Sequence, residues 1–152
     1  MPIRPIEAWA SLRGAPDNIE VVTGITQDNI LDKIDEAARE ATFVIVDCEG
    51  TASLTVAYAV GAADLVIIAV PFAGHAATVA EVAPQLAGKI VVDPTNPLDF
   101  TTLDSLVPAG SSATAELAAK LPDAQVVKAF NTVFAAVLAS GTIGARPATV
   151  LA

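Results

Sequence analysis

Positive charge is scarce in this chain. Eight Lys and Arg stand against 17 Asp and Glu, a net charge of -9, and no basic run offers the phosphate-neutralising surface that nucleic acids require. DNA and RNA are therefore excluded as expected partners. Cysteine is nearly absent: Cys48 alone makes no internal disulfide, and the start Met1-Pro2-Ile3-Arg4-Pro5 carries neither an apolar core nor a cleavage-site pattern. A reducing cytoplasm is the expected location. No apolar run approaches the length that crosses a bilayer, the longest strand-like one being Leu65–Val70, so no membrane association is expected. Glycine is thinly spread as well. The nine glycines never occur two apart, which excludes the Gly-x-Gly-x-x-Gly turn that cradles a dinucleotide pyrophosphate. A P-loop is missing too, because the one Gly-Lys pair, Gly88-Lys89, enters a strand instead of opening a helix.

Apolar residues fill the space these absences leave. They make up 53% of 152 residues, with only 16% charged, a balance that builds one hydrophobic core and excludes a disordered chain. A single domain over 1–152 is expected. Six short segments read as strands: Ile19–Val22, Phe43–Asp47, Leu65–Val70, Ile90–Asp93, Val126–Phe130 and Thr149–Leu151. Four of them are continuous apolar runs, the pattern of a parallel sheet covered on both faces. Helical character lies between them, over Asp28–Glu40, Thr51–Val60, His75–Ala83, Ser112–Leu121 and Thr132–Ser140. The first is amphipathic. The second is apolar nearly all round and is expected to be buried more deeply or covered on its outer side. Leu98–Gly110 is the one long connection. Alternating strands and helices give an α/β fold with a parallel sheet of βαβ units, Rossmann-like or flavodoxin-like, in two or three layers and with the strand order open.

Two families are visible in the detail. Asn18-Ile19-Glu20-Val21-Val22, the helix after it, Phe43-Val44-Ile45-Val46-Asp47-Cys48-Glu49-Gly50-Thr51 and Ala63-Asp64-Leu65-Val66-Ile67-Ile68 resemble the middle of a ParA/MinD-type P-loop ATPase, over about 4–68. From about 64 to 152 the chain resembles the Rossmann domain of NADPH-dependent deazaflavin (coenzyme F420) reductases. That resemblance rests on Ala69-Val70-Pro71-Phe72, Asp93-Pro94-Thr95-Asn96-Pro97-Leu98 and Lys128-Ala129-Phe130-Asn131-Thr132. The two adjoin within Leu65–Val70, as in a chimera spliced inside a shared strand. Each lacks the N-terminal strand and phosphate loop through which its family binds nucleotide.

The resemblances supply the candidate residues. Asp47 ends a strand where the ATPase family holds magnesium through its Walker B aspartate, but without a P-loop it reads as a relic metal ligand. Gly50 and Thr51 could receive an anion or simply cap a helix, with Asp47 and Glu49 opposing the anion. Val70, Pro71, Asn96 and Asn131 follow strands at the carboxyl edge, where ligands bind in open α/β sheets; they line a cofactor cleft or serve only as turn residues. His75 lies near a helix start with no second ligand or nucleophile and reads as solvated or capping. Cys48 reads as a small buried hydrophobe.

Right-handed crossovers taken in one direction put every connecting helix on one sheet face. The other face is left apolar, beyond what a soluble monomer tolerates, and needs a cover. The options are the N-terminal segment with Ile6, Trp9 and Leu12 folded across it, a sheet curled toward a barrel, a reordering that moves Ile19–Val22, or a second chain. The homodimer is the first expectation. The functional expectation is a chimeric α/β scaffold without catalysis and with no cofactor. The alternative is a remnant oxidoreductase that binds NADP or a deazaflavin.

Overall fold

A computed structural model describes Ile6, Ala8, Ser11 and residues 18–50 and 53–148. The chain divides into two compact units, one of residues 1–49 with 53–62 and one of residues 50–52 with 63–152. The division between 62 and 63 falls beside the 64–68 overlap of the two family resemblances.

In the first unit, α1 (Ile30–Glu40) and α2 (Leu54–Ala62) pack on each other. Asn29 prepares α1: its Oδ1 accepts the Thr26 N–H at 2.7 Å and its Nδ2 donates to the Gly24 carbonyl at 3.1 Å. Gly24 takes a φ of 73° there, which costs a residue without Cβ nothing. The α2 start is capped by Ser53, whose Oγ accepts the Val56 N–H at 3.2 Å. That places the helix three residues later than the Thr51 start expected; Thr51 itself lies outside the described residues. Ile30, Ala59 and Val60 are buried, whereas Leu54 and Tyr58 are exposed. The deeper burial or outer cover expected of α2 is therefore not found among the described residues.

Two expected strands are also absent from this unit. Ile19–Val22 and Phe43–Asp47 belong to no sheet. A strand exists only when a neighbour takes up its N–H and C=O groups. The sheet stops at β1, and no described segment pairs along its outer edge. Phe43 and Ile45 consequently stand 85% and 89% exposed. The Thr149–Leu151 strand falls outside the described residues.

The second unit is a parallel α/β ladder: β1 (Leu65–Ile67), α3 (Phe72–Val82), β2 (Ile90–Asp93), α4 (Ala113–Lys120) and β3 (Gln125–Lys128). The strands lie in the order β1-β2-β3, all parallel, with Leu65, Ile90 and Gln125 in register. β1 and β3 stop short of the expected Val70 and Phe130, whereas β2 keeps the expected Ile90–Asp93. Pro84 closes α3 into a single 3-10 turn over Ala83–Leu86. His75, Val79 and Val82 form its buried stripe, at helical spacing. On α4 the stripe is Ala113 and Leu117, continued by Leu121, and Ser112 Oγ caps the start by accepting the Ala115 N–H at 3.1 Å. Gly88, at φ 77°, donates to the Asp123 carbonyl at 2.7 Å, and Lys89 Nζ donates to the Ala63 carbonyl at 2.6 Å, tying the amino ends of the strands together.

Both connecting helices reach Asp93, α3 through His75 and α4 through Thr114. They cover the same face, as right-handed crossovers require. On the other face Leu65, Ile67 and Ile90 are exposed, while Val92, level with Ile67, is buried. After β3 come α5 (Ala135–Ser140) and an antiparallel hairpin of β4 (Thr142–Ile143) and β5 (Arg146–Pro147), which the sequence reading did not foresee.

Candidate functional site at the carboxyl edge of the sheet

Asp93 ends β2 with none of its surface in contact with solvent. Leaving a carboxylate there without partners would be costly, and four hydrogen bonds meet it. Oδ1 accepts from Thr95 N at 2.9 Å and Thr95 Oγ1 at 2.6 Å; Oδ2 accepts from Thr114 Oγ1 at 2.7 Å and Lys128 Nζ at 3.2 Å. Burial opposes ionisation of Asp93, but the Thr95 and Thr114 hydrogen bonds and the Lys128 ammonium outweigh it and hold the carboxyl below its usual range. Lys128 Nζ also donates to the Thr95 carbonyl. One carboxylate thus fastens the end of β2 to α4 and β3.

His75 lies on the α3 side of this cluster. Its Nε2 is buried without a hydrogen-bond partner, 3.8 Å from Asp93 Oδ1. Burial is the main cause that keeps its pKa below the ordinary histidine value; Asp93 works against that shift, and Lys120 and Lys128 reinforce it. The expectation of a solvated or capping His75 is corrected: the imidazole is 6% exposed because its position on α3 falls on the buried stripe. It also stacks on Phe72, with ring centroids 6.3 Å apart, beside a hollow of about 330 Å³ lined by Leu106, Glu116 and Lys120.

A second hollow, about 560 Å³, opens at the carboxyl edge between Asn96, Ser112, Thr114, Lys128 and Asn131. Asn96 Nδ2 donates to the Asn131 carbonyl at 3.1 Å, and Asn131 Nδ2 donates back to Asn96 Oδ1 at 3.2 Å. The structure therefore joins these two candidates, 35 positions apart, across the ends of β2 and β3. Phe130, just before Asn131, holds a left-handed φ of 65°, a conformation that costs a side chain of its size about 1–3 kcal/mol. Val70 and Pro71 lie in the turn from β1 into α3 and do not line this hollow.

Asp47 is exposed, as are Glu49 and Gly50, and among the described residues no group of three His, Cys, Asp or Glu could hold a metal ion. Cys48 is exposed, not buried, since its segment joins no sheet. Partial desolvation, then the neighbouring Asp47 and Glu49 carboxylates, raise its thiol pKa and make it a poor nucleophile. Asp93, Thr95, Thr114 and Lys128 were missed as site residues. The available signal was a charged side chain at the end of an apolar strand followed two residues later by Thr.

A family model described as NADP oxidoreductase coenzyme F420-dependent matches residues 13–97. The chain belongs to this family. The matched stretch holds Asp93, Thr95 and Asn96, and it also reaches back into the ParA-like part. A protein named ParA from Rhizobium radiobacter is 37% identical over 67 residues, 44% of this chain and 30% of that protein, so both resemblances read from the sequence are present. Two solved structures are similar to part of the chain. A protein assigned as an F420-dependent NADP-reductase of Arthrobacter is 34% identical with a TM-score of 0.49, over 53% of this chain and 38% of its own. A hypothetical protein of Sinorhizobium meliloti is 38% identical with a TM-score of 0.46, over 56% of this chain and 41% of its own. The chain spans between 30% and 41% of the length of these relatives.

The F420-dependent oxidoreductase family implies NADP and a deazaflavin. The residues present do not fit the pyrophosphate of a dinucleotide. Ile68-Ala69-Val70-Pro71 carries β1 into α3 without a glycine, so it lacks the tight turn and close backbone approach that a dinucleotide pyrophosphate needs. What the carboxyl edge can do is narrower: Lys128, Asn96 and Asn131 can orient a polar group, and Asp93 is engaged in holding the edge together.

Proposed function

We propose that this chain is a non-catalytic α/β scaffold of the F420-dependent NADP oxidoreductase type, chimeric with a ParA-like N-terminal stretch, which turns over neither ATP nor NADPH. The observation that carries this reading is the sequence itself, in which both phosphate-loop motifs are missing and the turn from β1 into α3 holds no glycine. Neither the Gly-x-Gly-x-x-Gly turn nor the P-loop that wraps backbone N–H groups around a phosphate occurs in the sequence. The test is thermal unfolding of the purified chain with ATP, with NADPH and with coenzyme F420, alongside NADPH oxidation followed by absorbance. A ligand at 100 times its dissociation constant would stabilise the fold by about 2.7 kcal/mol. No shift and no oxidation are expected; a saturable shift or steady turnover would overturn the reading.

A second reading is supported by the Asn96–Asn131 pair beside Lys128. In it the hollow at the carboxyl edge holds the polar ring of a nicotinamide or deazaflavin without its phosphates. A thermal shift with F420 that Asn131→Ala abolishes would favour this reading over the scaffold.

The scaffold reading also includes a homodimer. Leu65, Ile67 and Ile90 are apolar, exposed and on one sheet face, and a second copy would cover them. Sedimentation at micromolar concentration is expected to return twice the chain mass, and Ile67→Lys to return the monomer. A monomeric parent chain would contradict the dimer.

A further inference from the structure

We propose that His75 and Lys128 form a proton-driven switch through opposite oxygens of Asp93, in which protonation of His75 releases the Lys128 ammonium toward the Asn96–Asn131 hollow. The geometry places His75 Nε2 3.8 Å from Oδ1 and Lys128 Nζ 3.2 Å from Oδ2 of the same buried carboxylate. Neutral His75 leaves the carboxylate charge to Lys128, the one ammonium bonded to it. An imidazolium beside Oδ1 takes up part of that charge at close range, where screening is weak. Lys128 is 32% exposed and already lines the hollow, so its side chain can turn outward, giving up its bonds to Asp93 Oδ2 and the Thr95 carbonyl. His75 is buried and cannot move out as easily.

The charged groups around the imidazole come from every element packed on it. Asp93 approaches from β2, Lys128 from β3 and Lys120 from α4; Glu116 of α4 lines the hollow beside it, and Phe72 and Leu106 contribute only apolar surface. The step is a single proton taken from solvent by the imidazole, with no covalent change. The direction of the His75 shift sets the working range below 6.5, the ordinary histidine value. The switch stands whether or not the scaffold reading does, because it concerns the position of one lysine and not turnover.

His75 is the sole histidine and Lys128 one of four lysines, so both can be followed by NMR, the lysines after reductive methylation with 13C and assigned with Lys128→Gln. The Lys128 methyl resonance is expected to move with the His75 midpoint, and the movement to vanish in His75→Gln. A Lys128 resonance that stays still through that midpoint, or that moves unchanged in His75→Gln, overturns the proposal. Coupling is reciprocal, so Lys128→Gln, which alters a partly exposed side chain, must also raise the His75 midpoint. An unchanged midpoint there overturns the proposal even if His75→Gln does not fold.

Discussion

Ile90-Val91-Val92 and Phe43-Val44-Ile45-Val46 are nearly interchangeable as strand formers, yet only the first becomes a strand. Val91 is wholly buried between β1 and β3, whereas Ile45 is 89% exposed in a segment that joins no sheet. The difference is position. β2 has a paired neighbour on each side and two helices above it, and the 43–47 run has neither. Strand propensity states what a residue tolerates; the ladder is a property of the partners. The same contrast holds for charge. Asp93 is buried and meets four hydrogen bonds, while Asp47, at the end of the other apolar run, stands in solvent.

The sharpest way to break this comparison is to put a carboxylate into each run. Val91→Asp is expected to cost more than about 4 kcal/mol, enough to unfold the sheet unit, because the new charge has no partner. Ile45→Asp is expected to change stability by less than about 0.5 kcal/mol. Urea unfolding followed by circular dichroism reads both, and similar losses would erase the distinction between the regions. Asp93→Ala comes next, at about 2–4 kcal/mol, since it strands Thr95, Thr114 and Lys128 around an empty acceptor position. Ser112→Ala removes the α4 cap and should cost about 1 kcal/mol. Asn131→Ala breaks the bond to Asn96 Oδ1 in a partly exposed place and should cost less than about 1 kcal/mol.

Acid should act on the sheet unit in two stages. The folded His75 pKa lies below 6.5, so the unfolded chain takes up that proton first and stability declines as pH falls below 6.5, until the folded imidazole titrates too. The folded Asp93 pKa lies below 3.8, so its contribution is complete above 3.8 and is lost as pH falls through the lower folded value. Urea midpoints measured at intervals of falling pH check both signs. His75→Gln should flatten the first decline and leave the second, and a decline that survives that substitution would assign it to other groups.

Much of the sheet unit was legible in the sequence. Strand and helix periods located β1 to β3 and α3 to α5 to within a few residues, and crossover handedness placed α3 and α4 on one face. Asn96 and Asn131 were legible as edge residues because both follow strands in unusual motifs. What stayed hidden depends on partners far away in sequence. Nothing local says that Asp93 will find Thr114 and Lys128, or that His75 will fall beneath α3 and not above it. Nor does any local pattern separate Ile90–Asp93, which pairs, from Phe43–Asp47, which does not.

Equilibrium titration of the chain with NADPH, followed by cofactor fluorescence, bears most directly on the absence of a dinucleotide phosphate loop from this sequence. The account predicts a signal that rises linearly with added NADPH, as in buffer alone. A saturable transition in the micromolar range at one NADPH per chain would contradict it.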